Sequence, residues 1–137
     1  MAVLSTKGVY GLVALFEIMK ASEFYPITIK EISDKTNISK NYFEQILNSL
    51  RNAGIISSIK GKNGGYFLAK PAEEIMFLDV FRALENNFGV TSINTQNSVI
   101  SHFLQHCDSK FKDIFNMPLS KLKDFENESK EYLNFII

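Results

Sequence analysis

The chain alternates between stretches of helical hydrophobic spacing and shorter runs of β character. Residues 6–21 carry Val9, Leu12, Val13, Leu15, Phe16 and Met19 at the three-to-four spacing of a buried stripe, with Ser5 or Thr6 able to cap the first amides. Tyr25-Pro26 then punctuates the chain. Thr28-Ile-Lys-Glu31 reads as a capping box, so a second helix is predicted over about 29–35 with Ile29 and Ile32 inward. Asn37 supplies a turn, and Ser39 caps a third helix over 40–53 that buries Phe43, Ile46, Leu47 and Leu50 before Gly54 stops it.

Two β-type runs follow, Ile55–Ile59 and Tyr66–Ala69, joined by Lys60-Gly61-Lys62-Asn63-Gly64-Gly65, whose glycines and asparagine permit a hairpin tip. Ile75–Leu84 returns to helical spacing through Phe77, Val80, Phe81 and Leu84, and residues 86–97 have no period and read as a loop. A longer helix is predicted over 98–116, with Val99, Ile100, Phe103, Leu104, Cys107, Phe111, Ile114 and Phe115 on a wide apolar stripe. Pro118 ends it, a short amphipathic segment with Leu119, Leu122 and Phe125 follows, and the tail Tyr132-Leu-Asn-Phe-Ile-Ile137 is apolar enough to dock somewhere.

The fold class predicted is therefore mainly α with a small β-hairpin wing. Three short helices followed by a hairpin are the element order of a winged helix-turn-helix, here with a long C-terminal helix appended. The expected division is a DNA-binding domain over 1–85, a loop over 86–97, and a dimerisation helix with C-terminal segment over 98–137. The stripe on the long helix is too wide for one small core to cover on both sides, so a second copy of the chain is expected against it.

Composition narrows the class without deciding it. The chain has 137 residues, 45% hydrophobic, which suits one core with an appended segment and is too apolar for disorder. No apolar run approaches the roughly 18 residues of a membrane helix, and the N-terminus lacks a secretory pattern, so a cytoplasmic protein with no membrane partner is expected. Basic and acidic residues balance at 15 each, yet residues 1–70 carry an excess of +4 and residues 71–137 an excess of −4. The first half thus suits an anionic partner.

The third helix gives that charge a shape. Opposite its buried stripe it leaves Lys40, Asn41, Glu44, Gln45 and Asn48, a mixture of amide, carboxylate and ammonium that matches hydrogen-bonding to base edges in a major groove. A carboxylate facing phosphates is unfavourable unless it accepts from a base edge such as the cytosine amino group, which makes Glu44 the informative member. Ser39, Lys40 and Tyr42 at the helix start, and Lys7 on the first helix, are placed for phosphate contacts. Lys60 and Lys62 sit on a hairpin tip slim enough for a minor groove. Every amphipathic helix has a polar face, however, and a lysine-glycine turn also suits simple solubility. Pattern alone leaves open both double-stranded DNA and a docked protein as the partner.

Several motifs in one order resemble the IscR/CymR-type winged-helix transcription regulators, the Rrf-two superfamily. They are Leu4-Ser-Thr-Lys-Gly-Val-Tyr-Gly-Leu12, Ile29-Lys-Glu-Ile32, Ile38-Ser-Lys-Asn-Tyr-Phe-Glu-Gln-Ile46, Leu50-Arg-Asn-Ala-Gly54, Ser57-Ser-Ile-Lys-Gly61 with Gly64-Gly-Tyr66, and Asp79-Val-Phe-Arg-Ala-Leu-Glu85. The resemblance implies a bacterial homodimer binding an operator of two half-sites, usually repressing. It places the base-reading glutamate on Glu44 beside Gln45, phosphate-binding groups on Ser39 and Tyr42, and the wing arginine on Lys60, where lysine keeps the charge but loses the flat fork. Val9 stands where an arginine is common, and Met76 where a capping Thr or Ser is common.

Many proteins of this type hold an iron–sulfur cluster through three cysteines before the long helix. This chain has only Cys107, so no cofactor is expected and the resemblance leans to the cluster-free branch, which includes regulators of sulfur and cysteine metabolism. A metabolic enzyme or a small-molecule effector is a further candidate partner. Two other readings fit the same residues: a winged-helix module that docks proteins, and a thiol-based redox sensor through Cys107. No base-and-orienter set surrounds that thiol in the sequence, so an enzyme is not expected. His102 and His106, one helical turn apart, are spaced to give a metal two ligands, with the rest from another chain; an exposed pair beside a packed thiol is the commoner arrangement.

Overall fold

A computed structural model of the chain describes residues 2–136, with side chains as far as residue 134. The helices are α1 (Thr6–Ile18), α2 (Ile29–Thr36), α3 (Lys40–Asn52), α4 (Phe77–Leu84), α5 (Ser98–Ile114) and α6 (Lys121–Ile136), with strands β1 (Ile56–Ile59) and β2 (Gly65–Leu68) between α3 and α4. The protein is a winged helix-turn-helix, mainly α.

Local chemistry sets the helix starts. The Ser5 hydroxyl accepts from the Gly8 amide, and at α2 the capping box closes both ways: Glu31 N–H donates to Thr28 Oγ1 at 3.1 Å and Thr28 N–H to Glu31 Oε1 at 3.2 Å. Asn37 ends α2 in the left-handed conformation at φ 60°, which turns the chain into Ser39 and α3. α1 stops at Ile18, three residues short of the predicted end, because Lys20 and Ala21 bond back to Glu17 and Ile18 in a tighter turn. Met76 gives α4 no side-chain cap, as its residue type implies.

The core lies where α1, α2, α3 and α4 meet. Leu15, Ile18, Ile32, Phe43, Leu47, Leu50 and Val80 are fully buried there, each contributing roughly 1.5–3 kcal/mol of burial. α1 can approach α4 closely because Gly8 and Gly11 lie one turn apart: a side chain on Gly8 would strike the Glu85 carboxylate, and one on Gly11 would strike Leu84. Glu85 Oε1 accepts from both the amide (2.8 Å) and hydroxyl (2.9 Å) of Ser5, which ties the start of α1 to the end of α4.

The wing is an antiparallel pair with Ile56 opposite Leu68 and Ile59 opposite Gly65. Close to its tip, β2 is held by Ile27, whose amide donates to Tyr66 O at 2.9 Å and whose carbonyl accepts from Tyr66 N at 2.7 Å. Gly65 has φ +153°, and a β-carbon there would come within 2.6 Å of the Ile27 carbonyl oxygen. Glycine is required at that position by both conformation and space.

Several sequence expectations change in the second half, among them the end of the long helix, which stops at Ile114 rather than at 116. The fourth helix begins at Phe77, not Ile75, because residues 75–77 pair with 117–119: Leu119 N–H donates to Ile75 O at 2.6 Å and Phe77 N–H to Met117 O at 2.9 Å. This pairing buries Leu119 completely. The predicted short segment after Pro118 and the docking tail are instead one helix, α6. The polar run from Glu126 to Glu131 hid the continuity, although Glu and Lys are good helix formers. Tyr132 and Leu133 are exposed on it, so this part of the tail does not dock within the protomer; the side chains of residues 135–137 lie outside those described.

The α5 stripe divides. Phe111 and Phe115 turn inward and meet Phe88 and Phe81 in tilted and edge-to-face contacts at ring separations of 5.0–5.6 Å, while Leu104 and Cys107 are half-buried. Val99, Ile100, Phe103 and Ile114 are exposed. Among the described residues, no helix is long and apolar enough to cross a membrane.

Candidate nucleic-acid interface

α3 is held by its apolar side, and that fixes what the other side presents. With Phe43, Ile46, Leu47 and Leu50 buried, the 100° advance per residue turns Lys40, Asn41, Glu44, Gln45 and Asn48 outward, and all five are exposed. Glu44 has no ion-pair partner among the described residues, so both carboxylate oxygens are free to accept. The start of the helix is equally open. Ser39 Oγ accepts from the Asn41 amide at 3.3 Å, which leaves its proton to donate outward, and Tyr42 is 58% exposed.

Two further groups set this surface that the sequence reading missed. Tyr10 of α1 meets Tyr42 edge to face, ring centres 5.6 Å apart at 89°, and so orients the phenol at the helix start. Near the other end of α3, Arg51 donates to Asn48 Oδ1 at 3.0 Å and to Ser58 Oγ of β1 at 3.4 Å, linking helix to wing. The Asn48–Arg51 spacing of three residues was a legible signal; the Tyr10–Tyr42 pairing spans the whole helix-turn-helix and left none.

At the wing, Gly64 N–H bonds back to Gly61 O at 3.1 Å and Gly61 takes φ +113°, closing a tight tip. Lys60 and Lys62 are exposed on it with no ion-pair partners among the described residues. Lys7 differs from the other lysines singled out, being half-buried on α1. The helix face, its start and the wing tip thus form a surface with free ammonium groups around hydrogen-bonding amides and one free carboxylate.

The residues named for dimerisation do not gather at this surface; they lie along α5. His102 and His106 are exposed there beside the half-buried Cys107. Among the described residues no three His, Cys, Asp or Glu side chains come together as metal ligands. An iron–sulfur cluster is held by several thiolates, and a chain with one cysteine does not fit that group.

The loop before α5 is tethered instead by a carboxylate. Asp108 accepts from the Val90 amide at 3.0 Å and pairs with Lys112 at 2.7 Å; the Lys112 bond first, then the Val90 amide, holds its pKa below the ordinary 3.8. Because the folded value is depressed, the tether is fully present above pH 3.8 and is lost as pH falls through the lower folded value. Protection of the Val90 amide, its exchange relative to the free-chain rate at the same pH, should therefore hold at neutral pH and drop only under strong acid, and Asp108→Ala should lack that protection at neutral pH.

In sequence and in fold the chain is similar to known transcriptional regulators. The chain is 42% identical over 82 residues to the HTH-type transcriptional regulator CymR of Bacillus subtilis, an alignment covering 60% of this chain and 59% of that one. It is 35% identical over 88 residues to the regulator IscR of Photorhabdus laumondii, covering 64% of this chain and 54% of that protein. In sequence it therefore matches between 54% and 59% of the length of these relatives. The fold superimposes on the solved structure of B. subtilis CymR, the global cysteine regulator, with TM-score 0.77 and 30% identity, covering 91% of this chain and 98% of that one. The model of the Rrf2 family, described as an iron-dependent transcriptional regulator, matches residues 4–125, and the chain belongs to that family.

Proposed function

We propose that the protein is a cytoplasmic, homodimeric repressor that reads an operator of two half-sites and occludes a promoter without an iron–sulfur cluster. The observation that carries the reading is the exposed face of α3, which sets Glu44, Gln45 and Asn48 beside a lysine-bearing wing. In it, residues 1–85 engage DNA, 86–97 connect, and 98–137 assemble the dimer. Glu44 and Gln45 read base edges in the major groove, with Asn41 and Asn48 beside them. Ser39, Lys40, Tyr42 and Lys7 hold the backbone, and Lys60 and Lys62 enter or flank the minor groove. Similarity to a cysteine regulator favours target genes of sulfur or cysteine metabolism. It is a binding activity with no reaction attached.

The dimer follows from the divided α5 stripe. Val99, Ile100, Phe103 and Ile114 put large apolar side chains in water, and Phe125, Tyr132 and Leu133 of α6 do the same. A second copy covering the α5 face would remove that exposure and present two recognition helices to successive turns of one DNA face.

The test is a titration with a fixed duplex across a range of salt. Affinity is expected to fall steeply with salt, and Lys62→Ala should weaken all sequences about equally while lowering the slope of log K against log salt by roughly one. A salt-independent affinity, or a slope that Lys62→Ala leaves unchanged, contradicts the assignment.

A further inference from the structure

Between α3 and the wing lies a cavity of about 340 Å³ with walls from both elements, Arg51 from the helix and Ser58, Lys60 and Tyr66 from the hairpin. Two cations line it and no carboxylate does; among the described residues neither cation has an ion-pair partner. Two like charges left unbalanced around one opening favour an anion between them. The arginine is held ready for one. Arg51 Nη2 donates to Asn48 Oδ1 at 3.0 Å and Nη1 to Ser58 Oγ at 3.4 Å. These bonds use two of the five guanidinium donors and fix the group between α3 and β1, so three donors remain for a ligand. Ser58, accepting from Arg51, keeps its own proton to donate.

The position of the cavity identifies the anion. A helix in the major groove and a hairpin in the neighbouring minor groove have one sugar–phosphate strand between them, and the cavity lies between those two elements. We propose that it is a phosphate clamp: Arg51, with Ser58 and Lys60, grips a phosphodiester of the strand that runs between α3 and the wing. The clamp rests on the DNA-reading assignment above. It carries no base preference of its own and fixes the register of recognition helix and wing along the duplex. Arg51 is exposed and outside the core, so replacing it leaves the fold intact.

The experiment uses the full-length protein and a duplex enriched from a random pool, remade with a single uncharged methylphosphonate at each backbone position in turn. For the wild type, neutralising one phosphate per half-site, between the bases that Glu44 reads and the minor groove at the wing, should cost roughly ten-fold or more in affinity. Arg51→Met should lose about as much on the unmodified duplex and on unrelated sequences alike, and should be indifferent to that one methylphosphonate. Arg51→Lys should recover part of the affinity and the sensitivity to the same position, because an ammonium keeps the charge without the fork. An Arg51→Met protein penalised at every position as the wild type is, or one that binds the unmodified duplex with wild-type affinity, overturns the clamp while DNA reading stands. A wild-type protein indifferent to every methylphosphonate and to salt removes the underlying assignment and the clamp together.

Discussion

Phe43→Ala is expected to destabilise the protein by roughly 3–5 kcal/mol, a large part of the 5–15 kcal/mol that holds a domain of this size. Phe43 is fully buried between Ile32, Leu47 and the other side chains of the core, and it stands on the inner side of the helix whose outer side carries the proposed readers. Removing the ring leaves a cavity that the packed helices α1, α2 and α4 cannot close without moving α3. The expected measurement is a fall in thermal midpoint on the order of 10 °C or more, with loss of DNA binding in parallel. A variant that keeps its midpoint would mean that α3 is held by something other than this core.

Glu44→Ala is expected to do the opposite: little to stability and much to selectivity. The side chain is exposed and unpaired among the described residues, so its removal takes away no contact of the fold. On DNA, a carboxylate near phosphates is repelled everywhere except where a cytosine amino group donates to it. Truncation should therefore abolish discrimination at one base pair, worth roughly 1–3 kcal/mol, while affinity for unrelated DNA holds steady or rises. Equal weakening on all sequences would place Glu44 outside the reading set.

The contrast between these neighbours explains what the sequence made legible. Where a pattern is local, residue type and spacing were enough. Thr28 and Glu31 marked the start of α2, the stripe Phe43, Ile46, Leu47 and Leu50 fixed which side of α3 faces out, and the glycines at 61, 64 and 65 marked the wing tip. What failed to show was long-range or two-sided. The pairing of 75–77 with 117–119 is a single bridge without strand-like alternation, so Leu119 could be named as apolar but its place beside Ile75 had no signal. The α5 stripe read as one face, yet Phe111 and Phe115 are taken up by Phe88 and Phe81, and only its other edge is free. Hydrophobic spacing reports that a side chain avoids water, not which neighbour relieves it.

The same limit applies to the interface. The outward residues of α3 could be named from periodicity because burial of one side dictates exposure of the other. The groups that orient them are only partly legible in this way: Arg51 shares α3 with Asn48 at a spacing of three, whereas Tyr10 behind Tyr42 and Ser58 behind Arg51 come from α1 and β1 and emerge only once those elements are packed.

Selection of duplexes from a random pool by the purified protein tests the central claim most directly. One motif with two-fold symmetry should be enriched, its half-sites about one helical turn apart, with a cytosine or guanine at a position that Glu44→Ala renders indifferent. A pool that stays random after repeated rounds at moderate salt, with protein whose fold is intact, would contradict it.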